Sequence, residues 1–375
     1  MKILFVSSYY LPYVSGLTIH AQRLAEGLSE KKHQITILTN SHFPDLLKNE
    51  NLNNILVKRA KPLFRFSRGF VSPNLMFLFL KILPENDIVV LHLPMPEAFI
   101  FAPIAKIFFK KVILIYHADL NLPSWSAFSK LIENIVLLNH CIAGIFSNNI
   151  IAYSSDYANF SRFLKVFKNK IVRIFPPVVI KKPDSKKAVE WKNKLRLAKN
   201  EIVGFAGRFA EEKGGDILIE SIPYLVEKIP DVKLVFAGEE NLVYEDFYQR
   251  KKFLIDKYKD RILFLGLVPP EQMPEFFVMC NVLALPSRAE CFGMVQVEAM
   301  LCGTPVVAFN IPGGRVPVLE TGMGELAKKY DRKDFAEKLT KVLNNKERYF
   351  RSRKEIEDIF NLERTIGRYE EIFSV

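Results

Sequence analysis

The chain has 375 residues, of which 49% are apolar and 25% charged, and its formal net charge at pH 7 is +12. This length predicts two domains, and the composition excludes a disordered chain, a collagen-like repeat and a small disulfide-rich scaffold. The excess charge is concentrated in residues 1–175, which contain 20 Lys and Arg against 10 Asp and Glu, whereas residues 176–375 contain 33 against 31. Ordinary solubility and contact with an anionic partner both explain this asymmetry.

The sequence predicts neither a signal peptide nor a membrane-spanning helix. Residues 1–12 predict a buried strand that runs into a turn, and no small-residue cleavage site follows. Residues 134–155 carry no formal charge and are long enough to span a bilayer. They include six polar side chains that disfavour a lipid-exposed helix, namely Asn134, Asn139, His140, Ser147, Asn148 and Asn149. We expect a soluble, cytoplasmic protein.

Short continuous apolar runs predict buried parallel strands. In the first half they cover residues 3–7, 34–39, 87–91, 111–116, 149–153 and 171–174. In the second half they cover residues 201–206, 232–237, 261–265, 282–285 and 305–308. Helix-period segments separate these runs, so each half predicts a doubly wound α/β domain, which binds ligands at the carboxyl ends of its strands.

The boundary between the halves is predicted near residues 176–200, where Pro176-Pro177 and the Lys-rich residues 181–199 indicate a linker. The expected domains are residues 1–180 and residues 181–355, with a cleft between them. Residues 356–375 have helical periodicity and are expected to cross back to the first domain.

The loop after the strand at residues 201–206 has the composition of a diphosphate site. Arg208 and Lys213 flank glycine-bearing residues that lead into a helix. Guanidinium and ammonium groups supply charge, and free N–H groups at a helix start supply donors. A solvated loop is the alternative interpretation.

The loop after the strand at residues 282–285 carries two carboxylates. Glu290 lies in the loop, and Glu298 lies eight residues later in the following helix. Phe292, Gly293 and Met294 open that helix and can present N–H groups to an anion. Carboxylates beside a cationic site suit hydrogen bonding to sugar hydroxyls. Satisfaction of the helix dipole would explain Glu290 but not Glu298.

These residues resemble the family-4 glycosyltransferases of the GT-B fold, which consist of two Rossmann-like domains facing across a cleft. The resemblance rests on GRFAEEKGG at residues 207–215 and on an E-x7-E motif, flanked by PSRAECFG and EAMLCGTPVV, at residues 286–307. It extends to residues 9–39, to Ile115-Tyr116-His117-Ala118-Asp119 and to the approach at residues 264–288. It therefore covers nearly the whole chain.

The resemblance implies a retaining, metal-independent transferase that uses a nucleotide sugar, UDP- or GDP-linked, and no other cofactor. It implies that Glu298 holds the ribose, that Glu290 accepts hydrogen bonds from the donor sugar, and that Arg208 and Lys213 bind the diphosphate. Its further implied site residues are Gly16 beside the phosphates, Leu267, Val268 and Met273 around the base, and His117 near the transferred sugar. The chain also lacks an Asp-x-Asp metal motif. No role is assigned to His33, His42 or His92.

Two departures from the family pattern concern glycines. Ser15-Gly16 stands where the family often has two glycines, and Gly238-Glu239-Glu240 stands where it often has Gly-x-Gly. The first departure affects the acceptor side or the mobility of the loop, and the second affects one backbone contact to the donor.

The acceptor is expected to bind the basic first domain. Residues 61–70, 75–83 and 103–111 mix cations with Phe and Leu, which suits the anionic inner face of a cell membrane and a lipid or lipid-linked glycan acceptor. Core helices with solvated ends explain the same pattern. A soluble transferase acting on a small acceptor is the rival function. Nucleic-acid binding lacks a recognisable motif, and a nicotinamide dehydrogenase lacks GxGxxG.

Overall fold

The computed structural model describes residues 1–66, 69–120, 127–242 and 245–374. The chain forms two compact units, one of Met1–Pro177 with Leu362–Val375 and one of Val178–Asn361. The predicted bounds differ slightly, since residues 178–180 and 356–361 belong to the second unit. Ser67 and Arg68 of the predicted basic and aromatic segment lie outside the described residues.

The first unit is built on an eight-stranded sheet with the order β10-β9-β8-β7-β1-β2-β4-β3. All neighbours pair in parallel except β3 and β4, and β5 and β6 form a separate antiparallel pair. The strands are β1 (Lys2–Val6), β2 (Gln34–Asn40), β3 (Asn49–Leu52), β4 (Ile55–Ala60), β5 (Phe64–Phe66), β6 (Gly69–Val71), β7 (Ile88–Leu93), β8 (Lys111–Tyr116), β9 (Asn149–Ala152) and β10 (Ile171–Arg173).

The helices of the first unit connect these strands by the crossovers that a parallel sheet requires. They are α1 (Gly16–Glu30), α2 (Pro73–Ile82), α3 (Ala98–Ile107), α4 (Ala127–Phe146), α5 (Ser155–Ala158) and α16 (Leu362–Ser374), with 3₁₀ turns at Leu83–Glu85 and Leu164–Lys170. The central strands β1 and β7 are almost wholly buried, as their continuous apolar sequences predict.

The returning helix α16 packs against α1. Ile366 lies so close to Gly27 that a Cβ on Gly27 would be 2.7 Å from the Ile366 side chain. At the end of α1, Glu370 pairs with Lys31 at 3.1 Å and with His33 at 2.9 Å. The last helix thus completes the apolar face of α1.

The second unit is built on a six-stranded parallel sheet with the order β13-β12-β11-β14-β15-β16. The strands are β11 (Ile202–Ala206), β12 (Lys233–Ala237), β13 (Ile262–Phe264), β14 (Val282–Leu285), β15 (Val306–Phe309) and β16 (Gly324–Ala327). Its helices are α6 (Ser185–Lys194), α7 (Gly215–Glu220), α8 (Ile222–Lys228), α9 (Phe247–Lys257), α10 (Met273–Met279), α11 (Met294–Leu301), α12 (Val316–Thr321), α13 (Arg332–Asn344), α14 (Lys346–Tyr349) and α15 (Arg353–Ile359), with 3₁₀ turns at Glu211–Lys213, Lys259–Arg261 and Pro270–Gln272.

The doubly wound α/β class predicted for both halves is confirmed. The linker prediction for residues 181–199 was wrong in part, because α6 occupies its centre. Asp184 caps α6 by accepting hydrogen bonds from the backbone N–H of Lys186 and Lys187. The helix packs against α10 although Ala188 is its single buried residue, which explains why its sequence resembles a solvated linker.

Candidate functional site

The second unit has its topological switch point between β11 and β14. These strands are direct neighbours, β12 lies on the far side of β11, and β15 lies on the far side of β14. Connections leave such a pair in opposite directions, which opens a crevice at the carboxyl ends of the two strands. The loops that follow β11 and β14 carry the two motifs singled out from the sequence.

Lys213 and Glu290 meet at this crevice. The Nζ atom of Lys213 lies 2.7 Å from Oε2 of Glu290, and their side chains are 26% and 11% exposed. Burial alone would lower the pKa of Lys213, but the carboxylates of Glu290 and Glu212 outweigh it and raise that pKa. The ammonium group is therefore charged at neutral pH.

The glycine after Lys213 fixes the approach of the two loops. Gly214 adopts φ = 69°, and a Cβ at this position would lie 2.0 Å from the carbonyl oxygen of Pro286. Only glycine combines this left-handed conformation with so close a backbone contact. The contact holds the loop after β11 against the loop after β14 and so brings Lys213 to Glu290.

Arg208 lies at the start of the same loop and is half-buried. Its Nη2 group donates to Oε1 of Glu212 at 3.2 Å. Two cations, Arg208 and Lys213, thus flank the segment between β11 and α7, as the sequence predicts for a diphosphate site.

The segment that contains Gly313 and Gly314 packs against the loop that carries Glu290. Gly313 forms a bridge to Glu290, and a Cβ on Gly313 would lie 2.6 Å from the carbonyl oxygen of Glu290. The buried side chain of Gln296 donates to the carbonyl oxygens of Phe292 and Gly314, at 3.1 and 2.8 Å. These contacts fix the loop that leads into α11.

Four further predicted residues lie at the start of α11 or within it. Gly293 precedes α11 with φ = 79°, and Met294 is the first residue of that helix. The ring of Phe292 is buried and packs edge-on against Phe360, so only the backbone of Phe292 is available to a ligand. Glu298 is half-buried on α11.

Of the three residues predicted to surround a base, Leu267 and Val268 lie between β13 and α10, and Met273 is the first residue of α10. Leu267 is 68% exposed, whereas Val268 and Met273 are half-buried. Gly238, the first residue of the Gly-Glu-Glu departure, packs its backbone against Gly207, where a Cβ would lie 2.1 Å from the Gly207 carbonyl oxygen. This close backbone contact requires glycine at position 238.

Sequence reasoning missed one buried ion-pair group beside the site. The carboxylate of Asp216 accepts two hydrogen bonds from Arg288, both at 2.9 Å, and pairs with Lys251 at 2.8 Å. Burial would raise the pKa of Asp216, but the bonds from Arg288 and Lys251 outweigh it and lower that pKa. Arg288 is also anchored to the loop after β11, since its backbone N–H donates to Glu212 at 2.8 Å. Arg288 immediately follows the Pro-Ser of the recognised motif, which is the signal that could have drawn attention to it.

In the first unit, Gly16 is exposed at the first position of α1. Ser15 caps this helix, because its Oγ accepts from the backbone N–H of Thr18 at 3.2 Å and its own N–H donates to Thr18 Oγ1 at 2.8 Å. The serine that replaces a family glycine therefore has a capping function.

His117 follows β8 and is buried in a histidine and tyrosine network. Its Nδ1 lies 2.6 Å from the hydroxyl of Tyr153, and its Nε2 lies 2.9 Å from Nδ1 of His92. His20 completes the group, 3.3 Å from the Tyr369 hydroxyl. The prediction that His92 has no role did not anticipate this contact, since β7 and β8 place the two rings side by side.

Burial keeps the histidines of this network neutral. It lowers the pKa of His92 to about 3 and that of His117 well below its ordinary value, with a further lowering by the neighbouring His20 and His92. Ring nitrogens of His20, His92 and His117 lie within 4.8 Å of one another, a spacing at which a metal could be considered. Both nitrogens of His117 are already engaged by Tyr153 and His92, so we describe the group as a hydrogen-bonded network.

The segment after His117 is held by a second network around Asp119. Its carboxylate accepts hydrogen bonds from the hydroxyls of Tyr116 at 2.7 Å, Ser161 at 2.9 Å and Tyr157 at 3.1 Å. The backbone N–H of Asp119 donates to the same Tyr157 hydroxyl at 2.8 Å. The carboxyl end of β8 is thus fixed on both sides of His117.

Known proteins match almost the whole chain. Residues 14–181 match the model of Glycosyltransferase Family 4, and residues 188–358 match the model of Glycosyl transferases group 1. An uncharacterized glycosyltransferase of Methanocaldococcus jannaschii is 25% identical over 354 residues, which are 92% of this chain and 90% of that protein. The D-inositol 3-phosphate glycosyltransferase of Mycolicibacterium smegmatis is 35% identical over 148 residues, or 38% of this chain and 32% of that protein.

Solved structures share the fold of both units. HepE from Anabaena, in complex with UDP and glucose, has a TM-score of 0.81 at 21% identity and covers 100% of this chain and 99% of its own. Sucrose-phosphate synthase from Thermosynechococcus elongatus has a TM-score of 0.81 at 20% identity and covers 100% and 98%. At these identities the likeness shows the fold alone.

Proposed function

Because the chain belongs to the family-4 glycosyltransferases of the GT-B fold, we propose that it moves a hexosyl sugar from a nucleoside diphosphate sugar to an acceptor hydroxyl with retention of configuration. The observation that carries this proposal is the contact of Lys213 with Glu290 at the switch point between β11 and β14. A charged ammonium and a hydrogen-bond-accepting carboxylate at this position suit the two ends of a sugar diphosphate.

The residues supply electrostatic stabilisation. As the bond between the sugar carbon and the phosphate oxygen breaks, negative charge develops on the diphosphate, and Lys213 and Arg208 stabilise it. The acceptor oxygen bonds to the same face of the sugar carbon, and its proton passes to the departing phosphate. This role of the two cations supports the proposal that no metal or other cofactor is required.

Binding of the donor is assigned to neighbouring groups. Glu290 accepts hydrogen bonds from the sugar hydroxyls and Glu298 from the ribose, while Leu267 presents apolar surface to the base. The family resemblance also assigns Gly16 and the backbone of His117 a part in donor binding. The ring of His117 does not act as a base in this proposal, because both of its nitrogens are engaged.

The donor base is proposed to be uracil, with guanine as the second choice. HepE, which shares the fold, was crystallised with UDP, and this motivates testing UDP first. The acceptor is proposed to be a lipid or lipid-linked glycan at the inner face of the cell membrane, on account of the basic first half of the chain.

A small soluble acceptor is the second candidate. It is favoured by the similarity of part of the chain to D-inositol 3-phosphate glycosyltransferases. The two candidates differ in one measurement, since transfer to a lipid acceptor should depend on detergent or vesicle concentration whereas transfer to a small acceptor should not.

Thermal unfolding with UDP, GDP, ADP and NAD tests the proposed function. A nucleotide at about 100 times its dissociation constant adds about 2.7 kcal/mol to the free energy of unfolding. We expect a stabilising shift with UDP or GDP that is lost in Glu298→Ala and absent with NAD. A shift with NAD alone, or no shift with any nucleoside diphosphate, would refute the assigned donor site.

A further inference from the structure

Helix α4 exposes an apolar face, which is unusual for a helix on the surface of a globular domain. Residues Ser129–Phe146 are apolar and long enough to cross a membrane, yet only 17% of this segment is buried. The exposed side chains Leu131, Ile135, Leu138 and Ile145 recur at the spacing of one helical face, with exposed fractions from 54% to 63%. Exposed apolar surface of this kind marks an interaction site.

The opposite face of α4 packs on the domain, so the helix does not leave it. Ala143 and His140 are buried, and the Asn139 side chain donates to the carbonyl oxygen of Pro96 before α3. Near the other end, Nζ of Lys106 donates to Oδ1 of Asn148 at 2.6 Å. Helices α3 and α4 therefore lie side by side and run in the same direction.

The end of α3 adds a second group of exposed apolar side chains. One of them, Phe109, has a left-handed backbone conformation that is unfavourable for a residue other than glycine. Ile107 is 71% exposed and Phe109 is 97% exposed. Phe109 has φ = 57°, and two bonds, Phe109 N–H to Lys106 O and Lys110 N–H to Ala105 O, both 2.9 Å, form a Schellman motif. Glycine is the usual residue at this left-handed position, so the phenylalanine costs stability, and its ring is almost fully exposed against the described residues.

The surroundings of these two groups are strongly basic. Residues 98–111 and 127–175 together contain nine Lys and Arg against two acidic residues, Glu133 and Asp156. Three of the lysines bond to neutral oxygens, namely Lys106 to Asn148, Lys110 to Pro84 at 3.0 Å and Lys170 to the carbonyls at the end of α4 at 2.8 to 2.9 Å. These bonds use all three N–H donors of Lys170, whereas Lys106 and Lys110 keep N–H donors and positive charge for an external anion.

We propose that this α3–α4 surface, defined by Ile107, Phe109, Leu131, Ile135, Leu138 and Ile145, docks on an anionic lipid bilayer. Apolar side chains enter the boundary between headgroups and acyl chains, while the lysines around them neutralise lipid phosphates. A bilayer satisfies both features at once, whereas a second copy of this basic chain would bring like charges together. Of the basic and aromatic segments predicted from sequence, residues 103–111 contribute their end to this surface, whereas α2 buries Leu75 and Phe79 but exposes Phe77 elsewhere.

The inference goes beyond the proposed transfer reaction, since the surface shares no residue with the proposed donor site. The test is co-sedimentation of the full chain with vesicles of phosphatidylcholine, with and without about 30% phosphatidylglycerol. We expect binding to the anionic vesicles alone, with at least a tenfold loss of affinity between about 50 and 500 mM salt.

Two variants separate docking from folding. Phe109→Gly relieves the left-handed strain, so we expect its melting temperature to stay equal or rise while its vesicle affinity falls at least tenfold. Ile135→Ser with Leu138→Ser should weaken binding as much. The matched control is Phe253→Ser, whose side chain on α9 of the second unit is 85% exposed, and it should bind vesicles as the parent protein does.

Three results would overturn the proposal. They are absence of the parent protein from anionic vesicles at low salt, equal binding by Phe109→Gly and the parent, and a dimer in solution that Ile135→Ser with Leu138→Ser dissociates while no vesicle binding occurs. Nucleotide binding, measured in the same samples without lipid, reports on the proposed function separately.

Discussion

Replacement of Lys213 by alanine should slow sugar transfer far more than it weakens donor binding. In the unliganded protein the ammonium already pairs with Glu290 at 2.7 Å. When the donor binds, the ammonium of Lys213 exchanges the carboxylate of Glu290 for the diphosphate. Its net contribution to the free energy of donor binding is therefore small. The benefit appears as charge builds on the departing diphosphate, where loss of one stabilising group costs about 10²- to 10³-fold in rate, or about 2.7–4 kcal/mol.

The same substitution should cost moderate stability. Truncation leaves Glu290, whose side chain is 11% exposed, without its cation, and for a pair between the exposed and fully buried limits we expect a loss of about 1–3 kcal/mol. Isothermal titration with UDP gives the dissociation constant, which should rise less than about fivefold if the ground-state gain is small. Release of UDP from a saturating UDP-sugar gives the rate.

Lys251→Ala is the matched control for this experiment. Lys251 forms an ion pair of similar length, 2.8 Å to Asp216, and is 29% exposed, but it has no assigned contact with the donor. It should lose some stability and keep its transfer rate. The reasoning fails if Lys213→Ala raises the dissociation constant at an unchanged rate, or if both lysine variants slow transfer equally.

Three further predictions concern binding, loop geometry and acid stability. Glu298→Ala should raise the dissociation constant of the nucleotide about tenfold or more in calorimetry, since a hydrogen bond to a charged acceptor contributes about 1.5–3 kcal/mol to binding. An unchanged dissociation constant would show that Glu298 does not bind the nucleotide. Gly214→Ala places a Cβ 2.0 Å from Pro286 O, so urea denaturation should show a loss of about 3 kcal/mol or more; a stable, active variant would contradict the described loop. Burial lowers the pKa values of His92 and His117 in the folded protein. Their contribution to the free energy of unfolding is therefore complete above about pH 6.5 and is lost as the pH falls below it. The loss is up to about 1.4 kcal/mol per pH unit for each histidine. His92→Gln should flatten this dependence in urea denaturation between pH 7.5 and about 5, and an unaltered slope would contradict it.

The fold class and the meeting of the loops that carry Lys213 and Glu290 could be predicted because they depend on local patterns. Lys213 and Glu290 each follow a continuous buried strand, and parallel strands bring such loops to one edge. Strand β4 was not predicted, since its sequence includes Arg59. The structure buries that arginine, which donates to Glu50 at 2.6 Å and to the Leu11 carbonyl at 2.9 Å.

Long-range pairings escaped prediction for a different reason. The contact of His92 with His117 depends on the register of β7 against β8, and the bond between Arg288 and Asp216 joins residues that are 72 positions apart in the chain. A single sequence contains no measure of such distances. The exposed phenylalanine at Phe109 also escaped, because its left-handed backbone is visible only once the end of α3 is known.

The return of α16 makes the order of synthesis important. Residues 178–361 of the second unit separate α16 from the rest of the first unit, so on the ribosome β1 to β10 emerge long before the helix that covers α1. Until then Gly27 and His20, which contact Ile366 and Tyr369 in the finished protein, lie open. The first unit can therefore reach its final structure only after the second has been translated, and separate production of the first unit would have to include α16.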